Sequence, residues 1–254
     1  MRTRFTIGTA VGFVVAGIAL IVNPVLAQEE TLNNDPYISP KSVATYSAPF
    51  LKASGERLQK PGKERVVLAG TVSLNGSTPV PIQVAWEFPQ KIRIDKGTDT
   101  VVFDRGDPSR EIPSNAEMAD AIETLLEDSV EGFFANHLEG STRFLGSGFR
   151  LRDGGPDAPS YDIVVVWNRS RVRGGQEPIV KQYWFDKRMK LLSRVVYRRP
   201  SGSVEVFWSD WRDVQGERIP FTVERKELGR TTLLVKLFAA SVSPKAEDGY
   251  FSGR

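Results

Sequence analysis

The sequence has no cysteine among its 254 residues. This excludes disulfides, thiolate metal sites, a cysteine nucleophile and a lipid-bearing amino-terminal cysteine. Histidine occurs once, at His137, so no two-histidine metal motif can form and any Ser-His-Asp triad must run through that residue. Ser209-Asp210 lies far from it in sequence. Gly146-Ser147-Gly148 lacks the third glycine of a dinucleotide loop, and no Gly-Lys-Ser/Thr phosphate loop occurs. No catalytic residue, cofactor or metal is therefore expected, and the chain is read as a non-enzyme. An excess of one charge sign is also lacking: 34 basic residues face 31 acidic ones, mostly interleaved. A nucleic-acid binder would need a concentrated basic face, so nucleic acid is not an expected partner.

One uninterrupted apolar run is present, at the amino terminus. Arg2 and Arg4 precede residues 5–27, which carry no charge. Asn23-Pro24 breaks the run, and Val25-Leu26-Ala27 precedes Gln28-Glu29-Glu30. This pattern predicts a secretory signal of residues 1–27, cleaved after Ala27, and a periplasmic or secreted protein. The alternative is an uncleaved amino-terminal membrane anchor, since the run is long enough to cross a bilayer core of about 30 Å. Cleavage removes two arginines and leaves 32 basic against 31 acidic residues.

Residues 28–40 are polar and read as a flexible lead-in, and 41–254 as a single domain. Val43, Tyr46, Phe50, Leu51 and Leu58 are spaced for an amphipathic helix over 41–60, made irregular by Pro49 and Gly55. The period then changes to two. Strands are predicted at 64–74, 79–88, 91–95 and 99–104, with Asn75-Gly76 as a hairpin turn. Residues 114–135 interrupt this run with helical spacing at Met118, Ala121, Ile122, Leu125 and Leu126, and a second short helix is expected after Gly132. Seven more strands follow, at 143–152, 161–168, 179–186, 190–198, 203–211, 218–226 and 230–241. Their connections are short and so require antiparallel neighbours. The expected fold is α+β, mainly β: about eleven strands in a curved antiparallel sheet, with helices packed in or over its concavity.

The order of aromatic and turn motifs is the distinctive feature. Trp86-Glu87-Phe88-Pro89 leads into Lys91-Ile92-Arg93, and Tyr183-Trp184-Phe185-Asp186 precedes Leu191-Leu192-Ser193-Arg194. Val204 to Trp211 is followed by Gly216-Glu217-Arg218-Ile219-Pro220, and Asp248-Gly249-Tyr250-Phe251 lies near the end. This order resembles the LolA/LolB-like superfamily of periplasmic lipoprotein carriers over roughly residues 41–251, as a distant member. The resemblance implies a half-open β-barrel closed by helices that holds acyl chains in an apolar concavity. It implies as partner a hydrophobic ligand, whether lipid, acyl chain or lipoprotein anchor. The alternative is an envelope protein–protein interaction or scaffold module built on the same sheet without a ligand. Peripheral contact with anionic headgroups through Arg169–Arg173 and Arg198-Arg199 is a further option, exposed turns being the simpler account.

Residues two apart on a strand share a face. The expected cavity lining is therefore Trp86 and Phe88, Ile92 and Ile94, Val101 and Phe103, Tyr183 and Phe185, and Val206 and Trp208, joined from the helical segment by Ile122, Leu125, Phe133 and Phe134. The plain alternative is a packed core made of the same residues. The helices of 114–135 read either as a lid hinged at Gly132 or as a fixed part of that core. The acids Asp104, Asp107, Glu123, Glu127, Asp128 and Glu131 are expected in solvent.

Overall fold

The computed structural model describes residues 40–59, 64–88, 91–104, 116–139, 141–151, 157–169, 178–244 and 249–251. The expected signal, most of the lead-in, Asp107 and the run after Arg169 lie outside these residues.

Helix α1 (Pro40–Ser54) and a 3-10 turn (Glu56–Gln59) occupy the first predicted helix. Pro49 is carried within α1, and the break falls instead at Gly55, whose φ is +116°. The Ser54 hydroxyl donates to the Phe50 carbonyl at 2.8 Å, satisfying an acceptor of the last turn. Strands β1 (Glu64–Leu74), β2 (Val80–Glu87), β3 (Lys91–Lys96) and β4 (Asp99–Asp104) follow within a residue or two of their predicted bounds. Then come α2 (Ala116–Ile122), a π-helical turn (Glu123–Glu127) and α3 (Val130–Glu139). The seven remaining strands are β5 (Ser141–Arg150), β6 (Ser160–Arg169), β7 (Pro178–Asp186), β8 (Leu192–Arg199), β9 (Gly202–Val214), β10 (Glu217–Glu227) and β11 (Arg230–Pro244).

All eleven strands form one antiparallel sheet in the order β4-β3-β2-β1-β11-β10-β9-β8-β7-β6-β5. The sheet is curved and unclosed, with β4 and β5 at its edges. Ten hairpin-like neighbours would suffice for a simple meander; the departure is the seam of β1 with β11, where Val66 faces Val242 and Val72 faces Val235. Two-residue turns set the register beside this seam. Gln215-Gly216 and Leu228-Gly229 all take positive φ, the geometry whose twist matches paired strands.

One face of the sheet is apolar and covered. On β1 burial alternates strictly, with Val66, Leu68, Val72 and Leu74 inward. Helix α1 lies against β10 and β5, and α3 against β6. Phe50 of α1 stacks on Phe185 of β7 at 4.0 Å, and Phe133 of α3 meets Phe185 edge-on at 5.0 Å. Helices and sheet therefore share one aromatic core, which excludes water from the concave face.

Candidate functional site

The fourteen residues expected to line the concavity come together. Trp86, Phe88, Ile92, Ile94, Phe103, Ile122, Leu125, Phe133, Phe134, Tyr183, Phe185, Val206 and Trp208 all belong to one buried apolar cluster. Val101 is half-buried and packs against it. Cross-strand rows explain the convergence. Val66, Trp86, Ile92 and Phe103 are successive partners across β1 to β4. Tyr183, Val195 and Val206 do the same across β7 to β9.

Among the described residues of the apolar cluster, two indoles lack a hydrogen-bond partner. The indole Nε1 atoms of Trp86 and Trp208 are buried and have no hydrogen-bond partner. An unmet buried donor costs about 1–3 kcal/mol. The other buried or half-buried indoles do find acceptors: Trp184 donates to Gln182 Oε1 at 3.3 Å and Trp211 to the Leu192 carbonyl at 3.1 Å.

The acids of the helical segment require a correction. Glu123, Glu127, Asp128 and Glu131, expected in solvent, are buried against the sheet. Two ionic clusters hold them. In the first, Lys181 Nζ donates to Asp128 Oδ1 at 2.6 Å and lies 3.6 Å from Glu127. The Tyr197 hydroxyl donates to Asp128 Oδ2 at 3.0 Å, and Arg225 Nη1 donates to that hydroxyl at 3.1 Å and to Thr124 at 3.0 Å. Arg225 also pairs with Glu227 at 2.7 Å, and Arg199 pairs with Asp120 and with Glu123. Arg199 is thus another correction: its side chain is ion-paired and only a tenth exposed, whereas Arg198 is exposed as expected.

Among the described residues, this cluster joins the cations Lys181, Arg199 and Arg225 to the acids Asp120, Glu123, Glu127, Asp128 and Glu227. Burial and the neighbouring charges set the directions of three shifts. Burial pushes the Asp128 carboxyl up against the pull of Lys181 and Arg225. Lys181 is held above the ordinary lysine range because Asp128 and Glu127 outweigh its own desolvation. Burial and Asp128 likewise raise the Tyr197 phenol.

The second cluster ties the start of the chain to the helices and the sheet. Arg57 of the 3-10 turn reaches Glu131 of α3 at 2.7 Å and Glu217 of β10 at 2.8 Å. A Cβ at Gly55 would fall 1.9 Å from a carboxylate oxygen of Glu217, so a residue without a side chain is required there. Gly132 lies inside α3, not ahead of it, and a Cβ would fall 2.3 Å from the carbonyls of Leu126 and Glu127. The glycine lets α3 approach the π-helical turn closely.

Sequence reasoning passed over Arg57, Lys181, Arg225 and Glu217. For two of them a signal existed. Lys181 has the strand parity of Tyr183 and Phe185, and Arg225 that of Phe221 and Val223, so each charge stands at an inward position.

No group of three or more metal-ligating side chains is formed among the described residues, and no described helix is long and apolar enough to cross a membrane.

An unclosed antiparallel sheet whose apolar concave face is sealed by helices defines a half-barrel class of fold. That fold is LolA-like. The chain is similar to a LolA superfamily protein from Nitrosomonas europaea, with a TM-score of 0.56 at 10% identity over 85% of this chain and 99% of that one. It is also similar to a DUF1329 family protein from Desulfovibrio piger, with a TM-score of 0.51 at 10% identity over 81% and 96%. A third likeness is to an outer membrane lipoprotein-sorting protein domain from Vibrio parahaemolyticus, with a TM-score of 0.50 at 6% identity over 79% and 97%. At such identities the likeness is one of fold. By sequence, no protein-family model and no curated protein matches the chain.

Proposed function

We propose that the protein is a non-catalytic carrier of a hydrophobic ligand in the cell envelope, exported by residues 1–27 with cleavage after Ala27 and acting as one half-barrel unit from residue 41 onward. The ligand is a lipid, an acyl chain or a lipoprotein anchor. One observation carries this reading: the inward apolar rows of an unclosed, curved sheet converge on a single cluster beneath α1, α2 and α3. Acyl chains pack against apolar walls of this kind, each Å² of apolar surface they bury being worth about 25 cal/mol. The fold shared with a lipoprotein-sorting domain supports the same reading. Candidate lining residues are those of the cluster, led by Trp86, Phe133, Tyr183, Phe185 and Trp208.

Native mass spectrometry after gentle purification, with titration of acyl probes, tests it. The expected result is co-purified lipid or saturable probe binding; a protein that carries no lipid and takes up no probe overturns the proposal. A second reading, recruitment of an envelope protein by strand addition, is favoured by the two sheet edges at β4 and β5. In-cell cross-linking that captures one defined protein at those edges would select it.

A further inference from the structure

We infer that the ligand is not a plain hydrocarbon but an acyl compound whose ester, amide or carboxylate oxygens accept hydrogen bonds from the indole N–H groups of Trp86 and Trp208. The inference rests on the carrier reading above and adds the chemistry of the bound molecule.

The five tryptophans separate by position. Trp167 is about half exposed and reaches water. Trp184 and Trp211 have acceptors within the protein. Trp86 and Trp208, which lie on the covered face, have buried donors that no described residue meets. Buried indoles ordinarily find a partner, so two unmet donors on the same face call for an acceptor from outside the chain. Trp86 stands between the aliphatic Val66 and Ile92, and Trp208 faces the aliphatic Val223 on β10.

The two donors are also far apart. Trp86 is on β2 and Trp208 on β9, with β1, β11 and β10 between them, or about 19 Å around the sheet at ~4.8 Å per strand. Their rows cross β1 at Val66 and Val72. One oxygen cannot serve both indoles. Each takes its own, as a carrier of ester-linked or amide-linked acyl chains would require. The apolar walls bind the tails, and the indoles fix where along the sheet the linkages rest.

The test compares dodecane, methyl laurate and laurate as probes on the full mature chain, in the wild type and in the W86F/W208F variant. Phenylalanine keeps an aromatic ring and removes the N–H. The expected result is that methyl laurate and laurate bind the variant about fivefold more weakly per lost bond, while dodecane binding changes less than twofold. A loss for laurate alone assigns the oxygens to free fatty acids, and a loss shared with methyl laurate assigns them to ester-linked chains; either supports the inference. Equal effects on all three probes, or none, overturn it and leave the carrier reading standing. Failure of every probe to bind the wild type overturns the carrier reading itself. Should the variant not fold, the indole ¹⁵N–¹H resonances of the wild type decide: downfield movement of two signals with methyl laurate but not dodecane supports the inference, and unchanged signals on saturation overturn it.

Discussion

Lys181 Nζ and Asp128 Oδ1 lie 2.6 Å apart, and both side chains are buried between the sheet and the turn joining α2 to α3. Replacing Lys181 with Met strips the cation from Asp128, Glu127 and Glu123 together. Breaking a buried pair on one side strands the other charge, at a cost of about 3–5 kcal/mol. Urea unfolding followed by tryptophan fluorescence should show that loss for Lys181→Met and a partial recovery for Lys181→Met combined with Asp128→Leu.

The same cluster predicts a pH signature. Burial raises the Asp128 carboxyl above its ordinary range, with Lys181, Tyr197, Arg225 and Glu127 facing it. A carboxyl raised on folding stabilises the fold below its unfolded value of about 3.9, and that contribution is lost as pH climbs through the folded value. The stability difference between wild type and Asp128→Asn should therefore shrink as pH rises from about 4. Asp95 behaves in the opposite sense. Desolvation works to raise it, but hydrogen bonds from Arg93 and Thr100 hold it low. Its contribution is present above the unfolded value and lost as pH falls through the folded one, so Asp95→Asn should match wild type best in acid. Urea midpoints taken across pH check both trends.

Arg57 offers a test at the other end of the helical cover. Arg57→Ala leaves Glu131 and Glu217 buried without their shared guanidinium, and about 3–5 kcal/mol of stability should go. Gly55→Ala should act on the same contact from the other side. It combines positive φ with a Cβ driven into Glu217, and about 1–3 kcal/mol is expected. Arg57→Ala and Gly55→Ala in one chain should cost less than the sum of the two, because Glu217 is disturbed by both.

Gly132→Ala should be as damaging although it lies in a helix, where alanine is ordinarily the better residue. Its Cβ meets backbone carbonyls and not a flexible side chain. Overpacking of this kind costs about 1–3 kcal/mol. Thermal melts would show a lowered midpoint; a raised one would mean that α3 and the π-helical turn are not held in this approach.

Much of the fold was legible because it is local. Breakers at Asn75-Gly76, Gly216 and Gly229 delimit strands whose alternation sorts inward from outward residues, and that alternation also collected Trp86, Ile92, Tyr183 and Trp208 onto one face. The seam of β1 with β11 was not legible, since Leu74 and Leu233 are paired by geometry that no local pattern records. The burial of Glu123, Glu127 and Asp128 was misjudged for a specific reason. Regular helical spacing turns Glu123 and Glu127 away from Ile122 and Leu125, but the π-helical turn alters the winding and the segment packs into a concavity with walls on more than one side. The inward charges of Lys181 and Arg225 were visible as breaks in strand patterning, and only the acids across from them give those breaks a meaning.

The pairing of the first strand with the last makes the sheet, in effect, a circular chain cut elsewhere. Its spatial ends, β4 and β5, are consecutive in sequence and joined through the helical segment. The gap of the half-barrel is thus bridged covalently, while its middle is held by hydrogen bonds between the most distant parts of the chain. During synthesis the two arms of the sheet can each zip up from local hairpins, but they cannot be joined until β11 has emerged. A nascent chain lacking β11 would expose β1 as an open edge, and the finished protein hides that edge at its centre.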